Sequence, residues 1–397
     1  MLYKKLVIKL IILVIIILLI IAGTFTAYHY GWLGYHCNLV KTSFVTLPGW
    51  NQDNHHLALE TFAKSCTAIK KRNPEKPFNN KFPTTGTIAD WQQICAAITQ
   101  FDKKDNLSAR EFFEFWFEPY RVYKNFNAKG LFTGYYLPKL KCSLTKDKNY
   151  PAPIYALPSD WVKVNLGLFD PKLKGRTITG QVKNNKLRPY PTQAAINNGA
   201  IEKTAKVLAW CDSFVDVAFA HIQGSAIVQL PNQESFLIGY DASNGRTYTS
   251  IAKVLINNKA FTKEESSMQA IRTWFAKHPE KIQPILNKNA SYVFFRKLKH
   301  DAPLGSQQIP LTPQRSLAVD TRYIALGTPI WLDTVAPKSF SQTTVPFQHL
   351  LIAQDTGGAI KGMIRGDIYW GSSKEAASIA GNMKHQGGYW VLLPRFK

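Results

Sequence analysis

Two aspartates near the C-terminus, Asp355 and Asp367, stand twelve residues apart in the stretch LIAQDTGGAIKGMIRGDIYWG. From Lys338 to Lys397 the only other acid is Glu375. Glu375 has a structural account, because Ser372-Ser373-Lys374-Glu375 reads as an S-x-x-E capping box before the helical run AASIA, with Gly381 as its stop. Asp355 leads into Thr356-Gly357-Gly358, where an Asp readily bonds the backbone of a Gly-rich turn. Asp367 opens Ile368-Tyr369-Trp370, the expected start of a strand among apolar and aromatic neighbours. Desolvation raises the pKa of a carboxyl so placed, and a carboxyl that keeps its proton is a general acid. Gly366 beside it removes a side chain and would open a cleft to a bulky substrate. The competing reading of Asp367 is a buried, paired structural carboxylate.

Other chemistries lack their motifs. There is no G-x-x-x-x-G-K-[ST] loop and no G-x-G-x-x-G, so no nucleotide cofactor is expected. His55 and His56 are adjacent, and neither H-E-x-x-H nor C-x-x-C occurs, so no metal site is expected. Ser225 sits in QGSA without the G-x-S-x-G elbow, and His221 four residues earlier does not make it a nucleophile.

The elements that must position these carboxylates read as β-rich. Gly49 to Gln100 reads as helix, with Leu57, Leu59, Phe62, Ala63, Cys66 and Ile69 near helical spacing. From Lys124 onward, short apolar runs alternate with turn signals, as in GLFTGYYLP, SAIVQLP, SFLIGY and YWVLLP. One helical insertion, Lys263 to Phe275, interrupts them. Many short strands suggest barrels rather than a parallel sheet. With 397 residues, 45% of them hydrophobic, the chain can bury a core and suggests about two domains.

The charge of +23, from 49 Lys and Arg against 26 Asp and Glu, points to an anionic partner. Nucleic acid is excluded by the expected export. Lys4, Lys5 and Lys9 precede an apolar run from Leu10 to Ala22, which reads as a signal peptide or, as we favour, an uncleaved anchor with lysines inside and the bulk outside. An oxidising compartment permits disulfides among Cys37, Cys66, Cys95, Cys142 and Cys211. Spacing does not dictate the pairing, and Cys66 with Cys95 is a guess.

The stretch AQDTGGAIKGMIRGDIYWG resembles the C-terminal signature of the membrane-bound lytic murein transglycosylase A family, which cleaves bacterial peptidoglycan. FTGYYLP, RPYPTQAAI, HIQGSAIVQL, IGYDASNGRTYTSIAKVL, SMQAIRTW, NASYVFFR and PLTPQRSLAVD fit the same family in order, together spanning roughly Gly130 to Pro394. The resemblance implies a mainly β fold with flanking α-helices: a double-psi β-barrel domain plus a smaller inserted β-domain, with a groove between them that holds a glycan strand. Mapped here, residues 1–37 would be anchor or signal and tether, 38–140 and 288–397 the two parts of the barrel, and 141–287 the insertion.

The family's catalytic acid carries over to Asp367, and Asp355 becomes a second acid that orients substrate or tunes its neighbour. Tyr135 and Tyr136 are candidates for sugar contacts, with strand packing as the alternative. Gln223 and Ser225 are candidates for bonding sugar groups, with Gly224 allowing close backbone approach. Lys361 and Arg365 are candidates for holding substrate carboxylates, with surface charge as the alternative. Two departures, Leu137 after GYY and Ala226 in QGSA, touch local groove contacts only. The implied activity is cleavage of the β-1,4 bond between N-acetylmuramic acid and N-acetylglucosamine with 1,6-anhydro ends, without cofactor or metal. Its alternatives are an inactive wall-binding scaffold of the same fold and an ordinary two-carboxylate muramidase. The expected setting is the periplasmic face of a bacterial membrane. The expected partners are peptidoglycan, the membrane through the N-terminal segment and other cell-wall enzymes.

Overall fold

The computed structural model describes residues 13–14, 16–17, 37–263, 265–299, 302–341 and 343–395. The expected N-terminal anchor therefore lies almost wholly outside the described residues. Among those described, no helix is long and apolar enough to cross a membrane.

The helices are α1 (His55–Ile69), α2 (Ile88–Ala97), α3 (Asn106–Trp116), α4 (Gln193–Asn197), α5 (Phe214–Gln223), α6 (Ile251–Asn257), α7 (Met268–Lys277), α8 (Ile282–Leu286) and α9 (Lys374–Asn382). The strands begin with β1 (Cys37–Lys41), β2 (Phe117–Lys124) and β3 (Gly130–Tyr135). Then come β4 (Lys139–Ser143), β5 (Ala152–Tyr155), β6 (Trp161–Asn165), β7 (Thr177–Lys183), β8 (Lys186–Pro189), β9 (Val207–Cys211), β10 (Ser225–Gln229), β11 (Ser235–Ser243) and β12 (Val293–Lys297). The last are β13 (Ser316–Val319), β14 (Pro329–Pro337), β15 (Thr344–Asp355), β16 (Arg365–Tyr369) and β17 (Lys384–Pro394).

The fold is mainly β with flanking helices: a double-psi barrel joined to an inserted β-rich domain. Strands run in the order β17-β14-β15-β13-β16-β3, and β3 pairs back onto β17 to shut the ring. β2 and β1 extend one side of it from β17. A second sheet runs β12-β11-β10-β4-β9-β5, and a third, of three strands, runs β6-β7-β8.

Period-two alternation sorts the barrel residues. Ile330 and Leu332 of β14, with Leu351 and Ala353 of β15, point into the barrel core beside Phe132, Leu317 and Ile368. Trp331, Leu350 and Ile352 point the other way, into a layer built from α1, α2, α3 and Trp50. The expected helical region 49–100 is thus two helices with a turn-rich connection. Asn-Pro, Lys-Pro and Phe-Pro steps at Pro74, Pro77 and Pro83 prevent a continuous helix. Thr87 caps α2 in a full capping box with Asp90. A disulfide between Cys66 and Cys95 ties α1 to α2, as guessed from the sequence, and a second joins Cys142 of β4 to Cys211 of β9.

The helix at the C-terminal end corrects one expectation. Its N-cap is Ser373, whose hydroxyl accepts from the Ala376 N–H, and Gly381 lies inside the helix rather than ending it. The glycine serves packing: a Cβ there would stand 2.7 Å from Gln269 Oε1, so it lets α7 approach α9.

Candidate active site

Four adjacent strands set side by side Thr133 of β3, Asp367 of β16, Ala318 of β13 and Asp355 of β15. The registers pair Asp367 with Thr133, Ala318 with Asp367, and Ala318 with Asp355. Leu317, Val319 and Ile368 are core residues, so this row faces outward from the barrel. A bulge brings Asp355 into it. In the β13–β15 pairing Leu317 faces Ala353 but Ala318 faces Asp355, and Gln354 is the extra residue. Gln354 is fully buried, accepts from Ser316 Oγ at 2.6 Å, and donates to Thr61 O and Ser65 Oγ at 3.0 and 2.9 Å. The bulge is thereby pinned to α1.

Both aspartates line an open cavity of about 340 Å³. Its barrel side includes Thr133, Tyr135, Ala318 and the end of α9. Its other side includes Phe219, Ile222 and Gln223 of α5 with Met268 and Ile271 of α7. Asp367 accepts one side-chain hydrogen bond, from Thr133 Oγ1 at 2.6 Å. Burial raises its pKa; the Thr133 hydroxyl and the Arg365 charge oppose the rise, and the Asp355 charge adds to it. Burial also raises Asp355, against a fuller set of donors. Its Oδ1 accepts from Ser306 N, Ser306 Oγ and Thr356 N at 2.8 to 2.9 Å, and its Oδ2 from the Tyr135 hydroxyl at 3.0 Å.

Tyr135 is thus at the cavity, with its ring 5.3 Å from that of Tyr369. Gln223 lines the cavity too, while its Oε1 accepts from the Tyr136 N–H at 3.0 Å. The remaining candidates stand elsewhere. Tyr136 is packed in the barrel core. Gly224 ends α5 in the left-handed conformation, with φ +76°. Ser225 opens β10 opposite Gly239, and Lys361 is exposed and does not line the cavity. Arg365 turns to β3, donating to Leu131 O at 3.2 Å, Thr133 Oγ1 at 2.8 Å and Gly366 O. It makes no ion pair with either aspartate among the described residues. Gly366 opens no cleft: a Cβ there would meet Leu317 and Phe132 at 2.8 to 3.0 Å, so its absence lets the core close.

Sequence reasoning missed Thr133, Ala318 and Ser306. Thr133 stands two residues before Tyr135 on one strand, and that spacing puts both on one face. Ser306 comes from a loop, and no local signal pointed to it. Asp320 is buried, bonded by Arg322 and by the Gly362 N–H, and these bonds lower its carboxyl pKa to about 2. Among the described residues no cluster of His, Cys, Asp and Glu could hold a metal ion.

Comparison with known proteins agrees with this architecture. The MltA specific insert domain matches residues 131–296, and the 3D domain matches residues 315–393. A membrane-bound lytic murein transglycosylase A homolog of Buchnera aphidicola is 35% identical over 263 residues. That match covers 66% of this chain and 65% of the relative, just under two thirds of its length. A solved membrane-bound lytic murein transglycosylase from Agrobacterium tumefaciens is 30% identical with a TM-score of 0.79, covering 90% of this chain and 98% of that one. Escherichia coli MltA, solved with bound chitohexaose, is 25% identical with a TM-score of 0.62, covering 91% of this chain and 95% of that one.

Proposed function

The chain belongs to the membrane-bound lytic murein transglycosylase A family, and we propose that it cleaves the β-1,4 bond between N-acetylmuramic acid and N-acetylglucosamine in peptidoglycan, leaving 1,6-anhydromuramic acid ends. The observation that carries this reading is the unequal treatment of two neighbouring carboxyls. Asp355 takes four donors and has little room for a proton, whereas Asp367 takes one side-chain donor in a desolvated, cavity-facing position. Of the pair, Asp367 keeps the proton.

Protonated Asp367 gives its proton to the bridging oxygen as the glycosidic bond breaks through an oxocarbenium-like state. The C6 hydroxyl of the same muramic acid then forms a bond to the anomeric carbon, and Asp367, now ionised, takes the hydroxyl proton. One acid serves both steps, and the internal nucleophile supplies the proximity that an external water lacks. Asp355 holds Tyr135 in place and adds negative charge beside the oxocarbenium. Its oxygens are committed to Ser306, Thr356 and Tyr135, which disfavours its use as the nucleophile or water-activating base of a two-carboxylate muramidase. The insert side of the cavity, with Gln223, would hold the glycan; that a relative binds chitohexaose supports such an occupant.

Digestion of purified sacculi tests the reading by product mass. Released muropeptides one water lighter than hydrolysed ends are expected, and hydrolysed ends alone would replace this mechanism by the muramidase. Asp367→Asn should lower the rate by roughly a hundred- to ten-thousand-fold while the protein stays folded. An unchanged rate would remove Asp367 from its role.

A further inference from the structure

The three-stranded sheet β6-β7-β8 is built with its apolar side outward. Its registers pair Val164 with Ile178, Val162 with Gly180, Gly180 with Pro189, and Val182 with Leu187. Residues paired across strands share a face, so one face carries Val162, Val164, Ile178, Val182, Leu187 and Pro189. The opposite face carries Trp161 and Thr179, and it is the one turned toward the rest of the protein. Trp161 Nε1 donates to Ser243 O at 2.9 Å, and Thr179 packs against Gly245. The apolar face is left open: Ile178, Val182 and Leu187 are 45%, 60% and 41% exposed. The adjoining turn adds Leu168 and Phe169, exposed at 81% and 78%. No element among the described residues covers these five.

The segment that forms this sheet is also one-sided in the sign of its charge. From Trp161 to Pro189 there are seven cations (Lys163, Lys172, Lys174, Arg176, Lys183, Lys186 and Arg188) against a single acid, Asp170. Lys172, Lys174 and Arg176 follow Leu168-Phe169 in the β6–β7 connection at one end of the apolar face, while Lys163, Lys183, Lys186 and Arg188 fall on the opposite face by register. A glycan has no apolar phase to receive five aliphatic and aromatic side chains. A lipid headgroup layer has both an apolar boundary and phosphates, and long basic side chains can reach the phosphates while the aliphatic face sinks in.

We propose that the β6-β7-β8 sheet, led by Leu168 and Phe169, docks on the surface of a bilayer containing anionic phospholipid. The contact is separate from the cavity, and it does not depend on the reaction proposed above. It would hold the inserted domain against the membrane.

The test uses the full chain reconstituted in vesicles, with Cys37→Ser in every sample and an environment-sensitive fluorophore on Phe169→Cys or, as control, on Lys103→Cys in the helical layer. Vesicles of phosphatidylcholine with phosphatidylglycerol should shift the Phe169 label to the blue, with about a two-fold gain in emission, and leave the Lys103 label unmoved. Pure phosphatidylcholine, or the triple change Lys172→Glu, Lys174→Glu and Arg176→Glu, should reduce the shift. No shift with anionic vesicles overturns the proposal. So does an equal shift at both labels, or a shift that grows with protein concentration in lipid-free detergent, which would make a second copy the occupant.

Discussion

The hydroxyl of Thr133 donates to Asp367 and accepts from Arg365, so part of a positive charge reaches the acid without an ion pair forming. A bidentate Arg365 would strip the proton from Asp367; an absent one would leave the Thr133 hydroxyl as the group opposing burial. Thr133→Val removes the donor at nearly constant volume. Because that bond favours the ionised form, its loss raises the pKa of Asp367 further. Activity needs the protonated acid and falls as pH rises through that pKa, so the alkaline limb of the pH–rate profile should move to higher pH. A profile displaced to lower pH would contradict the assignment. The two acids were legible from their types and surroundings, and Tyr135 became a candidate only through the family resemblance. Ser306 was not, since the bonds it makes to Asp355 depend on a loop whose path no local pattern encodes.

The bulge at Gln354 does for β15 what strand alternation alone could not. Asp355 and Ala353 stand two apart and would share a face in a regular strand; the extra residue turns Asp355 to the cavity beside Ala318. Gln354→Met should therefore act twice. It leaves the Ser316 hydroxyl, the Ser65 hydroxyl and the Thr61 carbonyl without their partner, costing about 2 kcal/mol in denaturant unfolding. It also frees the bulge, so sacculus digestion should fall by more than the lost stability explains. An unfolding midpoint and rate equal to the parent's would sink both points. The helices were readable where their apolar spacing ran long, as in α1. α5 and α6 were not singled out, because they sit in segments whose neighbouring runs read as β. The bulge left no mark, since QD in an apolar run looks the same with either residue turned inward.

Across the whole molecule, one buried cluster fastens the helical layer to the barrel. Asp53, ahead of α1, accepts from Arg315 at 2.7 and 2.8 Å, from the Leu350 N–H at 2.9 Å, and pairs with His349 Nδ1 at 2.7 Å. Burial alone would raise its pKa, but the bonds from His349 and Arg315 outweigh that and hold it well below the usual carboxylate range. A carboxylate depressed in this way contributes stability above its unfolded pKa of about 4, and that contribution is lost as pH falls through the folded value. Asp53→Ala strands Arg315 inside the protein and should cost about 3 to 5 kcal/mol at neutral pH, read by thermal or denaturant unfolding. A loss under about 1 kcal/mol would mean that the cluster is solvated in solution. The sequence showed Asp53 and Arg315 as ordinary charged residues, because partners 262 positions apart leave no local trace. The barrel topology likewise came from the family resemblance and not from periodicity.

Because β3 is hydrogen-bonded to both β16 and β17, the ring has no stave that can be added early. While the ribosome is still working, Thr133 exists without the aspartate it will serve, and the wall of the cleft contributed by α9 has yet to be made. A chain clipped ahead of β17 would keep every strand of the two smaller sheets and still have an unsealed barrel. Whatever bond-breaking power the cleft holds is thus withheld until β17 has been made, and a chain cut ahead of it should lack that power.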